Sequence, residues 1–269
     1  MESASTLTTV KRAFAVLDHL WEHDGLTPND LAVLMDIPIS TAHSYLHTLA
    51  ETNYVDRENG RYEPGLQFFT NGNKLKHREA LFHKAKPELQ RIANETGELA
   101  VLHIAYEGRA VVFHLEEGAQ AVDVGIYPGI SAPLHTLAAG KAILAHFSQE
   151  RVRKIAEDRG LEPVTEHSIT DFDALVAELE TVRERGYSID WDEQVIGMGM
   201  VAAPLLINKG NSDNVRGVDV EVLGSVTIIA PTGRIRDEQY QSHLIQYVRE
   251  AADTIVINYQ YGGGATGPQ

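Results

Sequence analysis

Apolar residues recur every three to four positions through "TVKRAFAVLDHLWEHDG", with Val10, Phe14, Leu17 and Leu20 on one stripe and Gly25 as a stop. That period is helical, and it predicts a first helix from about Thr8 to His23. In "LTPNDLAVLMDIP", Thr27 precedes Pro28 and stands three residues before Asp30, a helix start with proline in its first turn; this second helix ends near Met35. A third helix follows Pro38, capped by Ser40 or its neighbour, with Ala42, Tyr45, Leu46 and Leu49 as its apolar face. Two helices joined by a short turn make a helix-turn-helix. "YVDRENGRYEPG" then reads as a hairpin turning at Asn59 and Gly60, so residues 1–67 predict a winged helix.

From Leu66 to Gly97 the pattern stays helical, with interruptions expected near Gly72 and Pro87 and a linker helix over 68–81. Over 82–260 the period changes, which marks a second domain. "LAVLHIAYEGRAVVFHLEEGAQAVDVGIYPG" supplies three strand-like runs split at Glu107-Gly108 and Glu117-Gly118, most simply an antiparallel meander. Two helices follow, breaking near Ser148, and then a third with Thr170 as N-cap, Leu175, Leu179 and Val182 on one face, and Gly186 as its stop. The strands "GMVAAPLLI" and "LGSVTIIAP" are separated by a polar stretch, 209–222, that is long for a hairpin loop. A last helix, about Asp237 to Val256, precedes a glycine-rich tail, 261–269, expected to be disordered.

Composition narrows the chemistry. Cysteine is absent, which excludes disulfides, thiolate metal sites and cysteine nucleophiles. No apolar run approaches the roughly 20 residues of a membrane span, and the opening residues do not resemble a signal peptide. The expectation is a cytoplasmic protein with no membrane partner. Acids outnumber bases 38 to 23, and they are spread along the chain. A surface of that kind suits a salt-rich cytoplasm, where carboxylates stay hydrated and their mutual repulsion is screened.

The outer face of the third helix carries Ser40, Thr41, His43, Ser44 and His47, side chains able to hydrogen-bond base edges in the major groove of double-stranded DNA. Arg57 and Arg61 would serve as wing contacts. Residues 1–72 nevertheless hold ten acidic residues against four basic ones. Phosphate neutralisation normally carries much of DNA affinity, and it weakens steeply with salt. A neutral reading helix therefore fits a protein that relies on base contacts and shape where salt is high.

Elsewhere the candidates are weak. A two-residue turn at Glu107-Gly108 in a regular hairpin would place His103 and His114 on one face, but no fixed metal-ligand spacing surrounds them. Asp190, Asp192 and Glu193 lack a recognisable catalytic partner, and "LAAGKA" lacks the glycine spacing of a phosphate loop. No metal, cofactor or catalytic residue is expected.

Six blocks in order, "VKRAFAVLDHL", "PISTAHSYLHTL", "GRYEPG", "PLHTLAAGKAILA", "ITDFDALVAELETVRERGYSIDWDE" and "GMGMVAAPL", resemble the isocitrate lyase regulator (IclR) family of transcription factors. The resemblance implies an α+β chain: an N-terminal winged helix-turn-helix, a linker helix, and a C-terminal effector-binding domain with a GAF-like antiparallel sheet flanked by helices. It also implies a homodimer or tetramer on operator DNA, controlled by a small organic effector. Matched by position, Leu134, Ala138, Ala139, Asp190, Met198, Met200, Thr227 and Ile229 would line the effector site. Such regulators commonly carry a basic residue where Ile39 stands, an arginine where Ser44 stands, and smaller or more polar groups near Met200 and Ile229. The pocket expected here takes an effector bulkier and less acidic than a two- or three-carbon keto acid.

Overall fold

The computed structural model describes residues 6–208 and 220–262, and divides into two compact units at Arg78/Glu79. In the first unit, α1 (Thr8–Glu22), α2 (Pro28–Met35) and α3 (Ile39–Glu51) precede β1 (Val55–Glu58), β2 (Arg61–Pro64) and α4 (Gln67–Arg78). Thr27 and Asp30 form a reciprocal capping box at the start of α2, and Asp36 ends that helix in a left-handed conformation. Asn59 (φ 48°) and Gly60 (φ 84°) both take positive φ, the turn that matches the twist of a two-residue hairpin. Leu26 pairs with Tyr62 as a third, one-residue rung of the wing.

The unit closes on Val16, Leu17, Leu20, Leu31, Ala42, Leu46, Val55 and Tyr62. Only part of the predicted α1 stripe is inside. Val10 is 48% and Phe14 63% exposed, because the face turned inward is centred on Val16 and Leu20, one side of the stripe drawn from spacing alone. Ser40 is also not a cap. The helix starts two residues earlier than that cap would place it, at Ile39 after Pro38, whose ring fixes φ at −59° and leaves no side-chain cap.

The second unit runs α5 (Ala80–Thr96), β3 (Leu99–Tyr106), β4 (Arg109–Glu117), β5 (Ser131–Pro133), a short 3₁₀ turn (Leu134–Thr136), α6 (Ala138–Leu144), α7 (Gln149–Arg159), α8 (Phe172–Arg185), β6 (Ser188–Trp191), β7 (Met198–Asn208), β8 (Val220–Pro231), α9 (Thr232–Ile235) and α10 (Glu238–Tyr261). The six strands order as β5-β4-β3-β8-β7-β6, every pair antiparallel. Alternation sorts the strands onto two cores. Leu99, Val101, Val112, Met200 and Ile229 join α6, α7 and α8, whereas Ala100, Leu102, Val201, Val226 and Ile228 join α5 and α10. Burial on both faces explains why β7 reads as an unbroken apolar run from Met198 to Ile207.

Several boundaries differ from those predicted. Helix α4 passes through Gly72 without a break, and α5 passes through Pro87; the division falls instead at Glu79, whose backbone is extended. A helix glycine costs only about 1 kcal/mol, and the buried faces of Leu81, Ala85, Leu89 and Ile92 carry α5 past its proline. The N-cap of α8 is Asp171, which accepts from the Ala174 amide, not Thr170. Helix α10 continues past Val256 to Tyr261, the first residue expected for the tail. Residues 209–219 of the polar stretch and 263–269 of the tail lie outside the described residues.

Two corrections reshape the sheet. The run after Gly118 is not a strand: Gly125 (φ 69°) and Gly129 (φ 102°) turn the backbone out of extended geometry, and it meets β4 only at its end, where Gly129 and Ile130 bond to Val112 and Ser131–Pro133 forms the regular ladder. The β3–β4 hairpin turns at Glu107 and Gly108 as expected, but His103 faces Val112 while Leu102 faces His114, leaving Phe113 as a bulge. One extra residue reverses the facing of everything beyond it. His114 thus lies on the opposite face from His103, bonded to Glu116 at 2.8 Å and edge-on to Phe82.

Candidate DNA-reading helix and ligand cavity

On α3 the outward stripe is Ile39, Ser40, His43, Ser44, His47 and Thr48, all exposed; Thr41 is half-buried at its edge. Ala42 and Leu46 are fully buried and fix the helix against the core, so the stripe has one orientation. Ser44 Oγ donates to the Ser40 carbonyl at 2.9 Å, and Thr48 Oγ1 to the Ser44 carbonyl at 2.8 Å. Both hydroxyls are left with acceptor lone pairs for anything outside. The His43 and His47 rings lie 6.0 Å apart, with His47 Nε2 3.7 Å from Glu51 Oε1. Thr48 was legible in principle, since it stands four and eight residues after Ser44 and Ser40.

The two wing arginines differ. Arg57 lies over the Tyr62 ring, 5.4 Å from its centre, on the exposed hairpin. Arg61 turns toward the α1–α2 loop, where Nη2 donates to the Asp24 and Gly25 carbonyls at 3.2 and 2.5 Å. Its guanidinium ties the wing to that loop.

In the second unit, a cavity of about 200 Å³ is lined from the sheet by His103, Val112, Met198, Met200 and Ile229, and from the 118–130 connection by Val124, Ile126 and Ile130. Leu137, Gln194 and Ser131 are among its other lining residues. Among the described residues no lysine, arginine or carboxylate lines it, and His103 is the one titratable group on its wall. Burial pushes the His103 imidazole down to about 4, so it is neutral at pH 7. Its Nδ1 is 3.3 Å from Thr227 Oγ1.

Of the eight positions expected to line an effector site, Met198, Met200 and Ile229 do so here. Thr227 sits behind His103. Leu134 lines a separate cleft of about 40 Å³ with Gly108, Arg109 and Ile155. Ala138 and Ala139 are fully buried in the packing of α6, and the Ala139 carbonyl accepts from Ser225 Oγ. Gly140 has no room for a side chain, since a Cβ would lie 2.0 Å from the Leu134 carbonyl oxygen.

Asp190 does not line the cavity either. Its Oδ2 accepts from the Ala138 amide at 2.9 Å, capping α6, a task Leu137 at the N-cap position cannot perform. Burial pushes its carboxyl up to about 7 despite that bond and the nearby Lys141. Lys141 is itself buried, with Nζ bonded to Glu193 Oε1 and 3.4 Å from the Ile189 carbonyl. Burial raises the Glu193 carboxyl, and Lys141 opposes that rise. The conspicuous "LAAGKA" and "DWDE" segments thus meet in a buried structural network. The cavity's other walls escaped sequence reading because "AVDVGIYPGI" has the composition of a strand and the geometry of a loop.

A winged helix joined to an antiparallel-sheet unit that bears an apolar cavity defines a ligand-responsive class of transcriptional regulator. The family description "Bacterial transcriptional regulator IclR C-terminal" matches residues 74–257, and "IclR helix-turn-helix domain" matches residues 9–59. The chain belongs to the IclR family. It is 28% identical to the probable HTH-type transcriptional regulator ArcR of Halobacterium salinarum, with 94% of each chain covered. It is 31% identical to the HTH-type transcriptional regulator BhcR of Paracoccus denitrificans over 93% of this chain and 87% of that one. Among solved structures, IclR of Thermotoga maritima superposes with a TM-score of 0.75 at 26% identity, covering 95% of this chain and 100% of that chain. These relatives are named regulators, not enzymes. No helix among the described residues is long and apolar enough to cross a membrane.

Proposed function

We propose that the chain reads operator DNA with α3 and that a small organic metabolite in the 200 Å³ cavity controls that binding. The observation that carries the reading is the neutral outward stripe of α3. Ser40, His43, Ser44, His47 and Thr48 face outward together on a helix whose own core contacts fix its direction. Thr41 contributes from its edge, and Arg57 is the wing's phosphate contact. With ten acids against four bases over residues 1–72, the unit gains little from phosphates and depends on base edges. A homodimer or tetramer presents two such helices about 34–36 Å apart, or a multiple of that spacing, to a pseudo-palindromic site. Effector binding shifts the population of arrangements with that spacing. Target genes of a catabolic operon, in a salt-rich cytoplasm, suit this design.

The test is binding to DNA upstream of neighbouring genes, at low salt and at molar KCl, with Ser44→Arg as the probe. The variant is expected to gain non-specific affinity at low salt and little specific affinity at high salt. Equal gains under both conditions would refute the account of α3. A specific complex absent at both salt concentrations favours a second reading, a sensor whose winged helix serves as a protein-interaction module; the deficit of basic residues motivates it.

The cavity supports a bulkier and less acidic effector. An apolar cavity of about 150 Å³ accommodates benzene, and this one is larger, has no cationic side chain on its wall, and offers a neutral His103 as hydrogen-bonding group. Met198, Met200 and Ile229 form its apolar wall, and Leu134, Ala138, Ala139, Asp190 and Thr227 support that wall from behind. Tight saturable binding of pyruvate or glyoxylate would overturn this.

A further inference from the structure

The end of α1 carries "HLWEH", and the structure brings His19, Glu22 and His23 together: one ligand atom from each lies within 4.8 Å of the others. The residues are neither on the outward stripe of α3 nor at the cavity, and no role for them follows from DNA or effector binding. His19 Nδ1 is buried and makes no hydrogen bond among the described residues. It stands 3.5 Å from Glu22 Oε2, beyond the usual range of a good N–H···O bond. That separation matches the edge of a tetrahedron, about 3.4 Å, whose centre holds each ligand at about 2.1 Å.

His23 is anchored through one of its ring nitrogens. Its Nδ1 lies 2.8 Å from the His19 carbonyl oxygen, so the tautomer that donates there leaves Nε2 with its lone pair available. The position also favours a cation electrostatically. It is the C-terminal end of a fifteen-residue helix whose last turn holds no Lys or Arg, where a positive charge offsets the exposed carbonyl dipoles. Two imidazoles and one carboxylate select a borderline divalent ion over Mg²⁺ or Ca²⁺, which take oxygen ligands.

We infer that His19, Glu22 and His23 form a three-ligand site for a Zn²⁺-type divalent transition ion, with the fourth position left to solvent. The ion fixes the end of α1, and the Asp24 and Gly25 carbonyls that follow hold Arg61 of the wing, so occupancy stiffens the wing through that loop.

The test uses the full chain stripped of metal with a chelator and titrated with ZnCl₂ by calorimetry. Co²⁺ serves as a second probe, its visible absorption reporting tetrahedral nitrogen and oxygen ligation. One tight equivalent is expected, together with a Zn²⁺-dependent rise in Tm. Glu22→Gln keeps an exposed residue of the same shape and should weaken binding at least about tenfold; His23→Ala should weaken it about 100-fold and abolish the rise in Tm. If His23→Ala is less stable without metal because it loses the bond to the His19 carbonyl, Glu22→Gln still decides. Wild type, Glu22→Gln and His23→Ala titrating alike would overturn the site. So would no saturable uptake, or displacement of Zn²⁺ by equimolar Mg²⁺.

Discussion

The outward face of α3 and the cavity of the sheet unit are built in opposite ways. The first comes from one continuous stretch of chain, is exposed, and owes its direction to Ala42 and Leu46 on the reverse of the same helix. The second is assembled from β3, β4, β7, β8 and the 118–130 connection, segments more than a hundred residues apart, in a unit whose α6 is fixed by a buried network of Lys141, Asp190 and Glu193. A surface built locally tolerates substitution; one built from distant segments depends on side chains that never touch its contents.

The largest expected effect lies in that network. Lys141→Met leaves the Glu193 carboxylate buried without its cation, and should cost about 3–5 kcal/mol of stability by chemical denaturation. Adding Glu193→Gln should recover most of the loss, since a buried pair removed whole is far less costly than one broken. If the single and double variants lose the same amount, Lys141 and Glu193 are not coupled as a buried pair.

A pH series is the next test. Asp190 is raised in the folded state from an ordinary 3.8 to about 7, so its contribution is present in full below 3.8 and is lost as pH rises toward 7. His103 is lowered from 6.5 to about 4, so its contribution is present above 6.5 and is lost as pH falls toward 4. The two oppose each other between those limits. Asp190→Asn, which can still accept from the Ala138 amide, should remove a fall in stability of up to about 1.4 kcal/mol per pH unit. His103→Gln should remove the opposite slope. Stability curves with unchanged slopes would show that neither group titrates as its burial dictates.

Smaller effects belong to the first unit. Thr27→Ala removes a capping box and should cost about 1 kcal/mol, read as a lower Tm. His47→Ala, on the exposed face of α3, should change stability by no more than about 0.5 kcal/mol while reducing specific DNA binding. A larger stability loss at His47 than at Thr27 would show that the outward face of α3 is not free to vary.

The same contrast decides what could be read from sequence. The winged helix was legible to within a residue or two because its signals are local: Pro28, the Thr27–Asp30 box and the Asn59-Gly60 turn each act within four residues. The cavity was half legible. Met198, Met200 and Ile229 came from the resemblance, but Asp190 proved to be a helix cap, and the wall from Val124 to Ile130 was mistaken for a strand. A bulge is the hardest feature to foresee, because nothing in "VVFHL" distinguishes the residue left out of the pairing.

That bulge has a consequence of its own. Along a pleated strand, facing behaves like a binary digit, and Phe113 flips it once. The cavity is thereby left with one imidazole where a regular hairpin would have brought two together. A lone neutral ring can donate or accept a hydrogen bond, but it cannot chelate or pass a proton to a twin. An insertion or deletion of a single codon between the turn and the bulge is therefore a larger chemical event than most substitutions: in one step it exchanges residues that line the cavity for those that meet the helices on the other face.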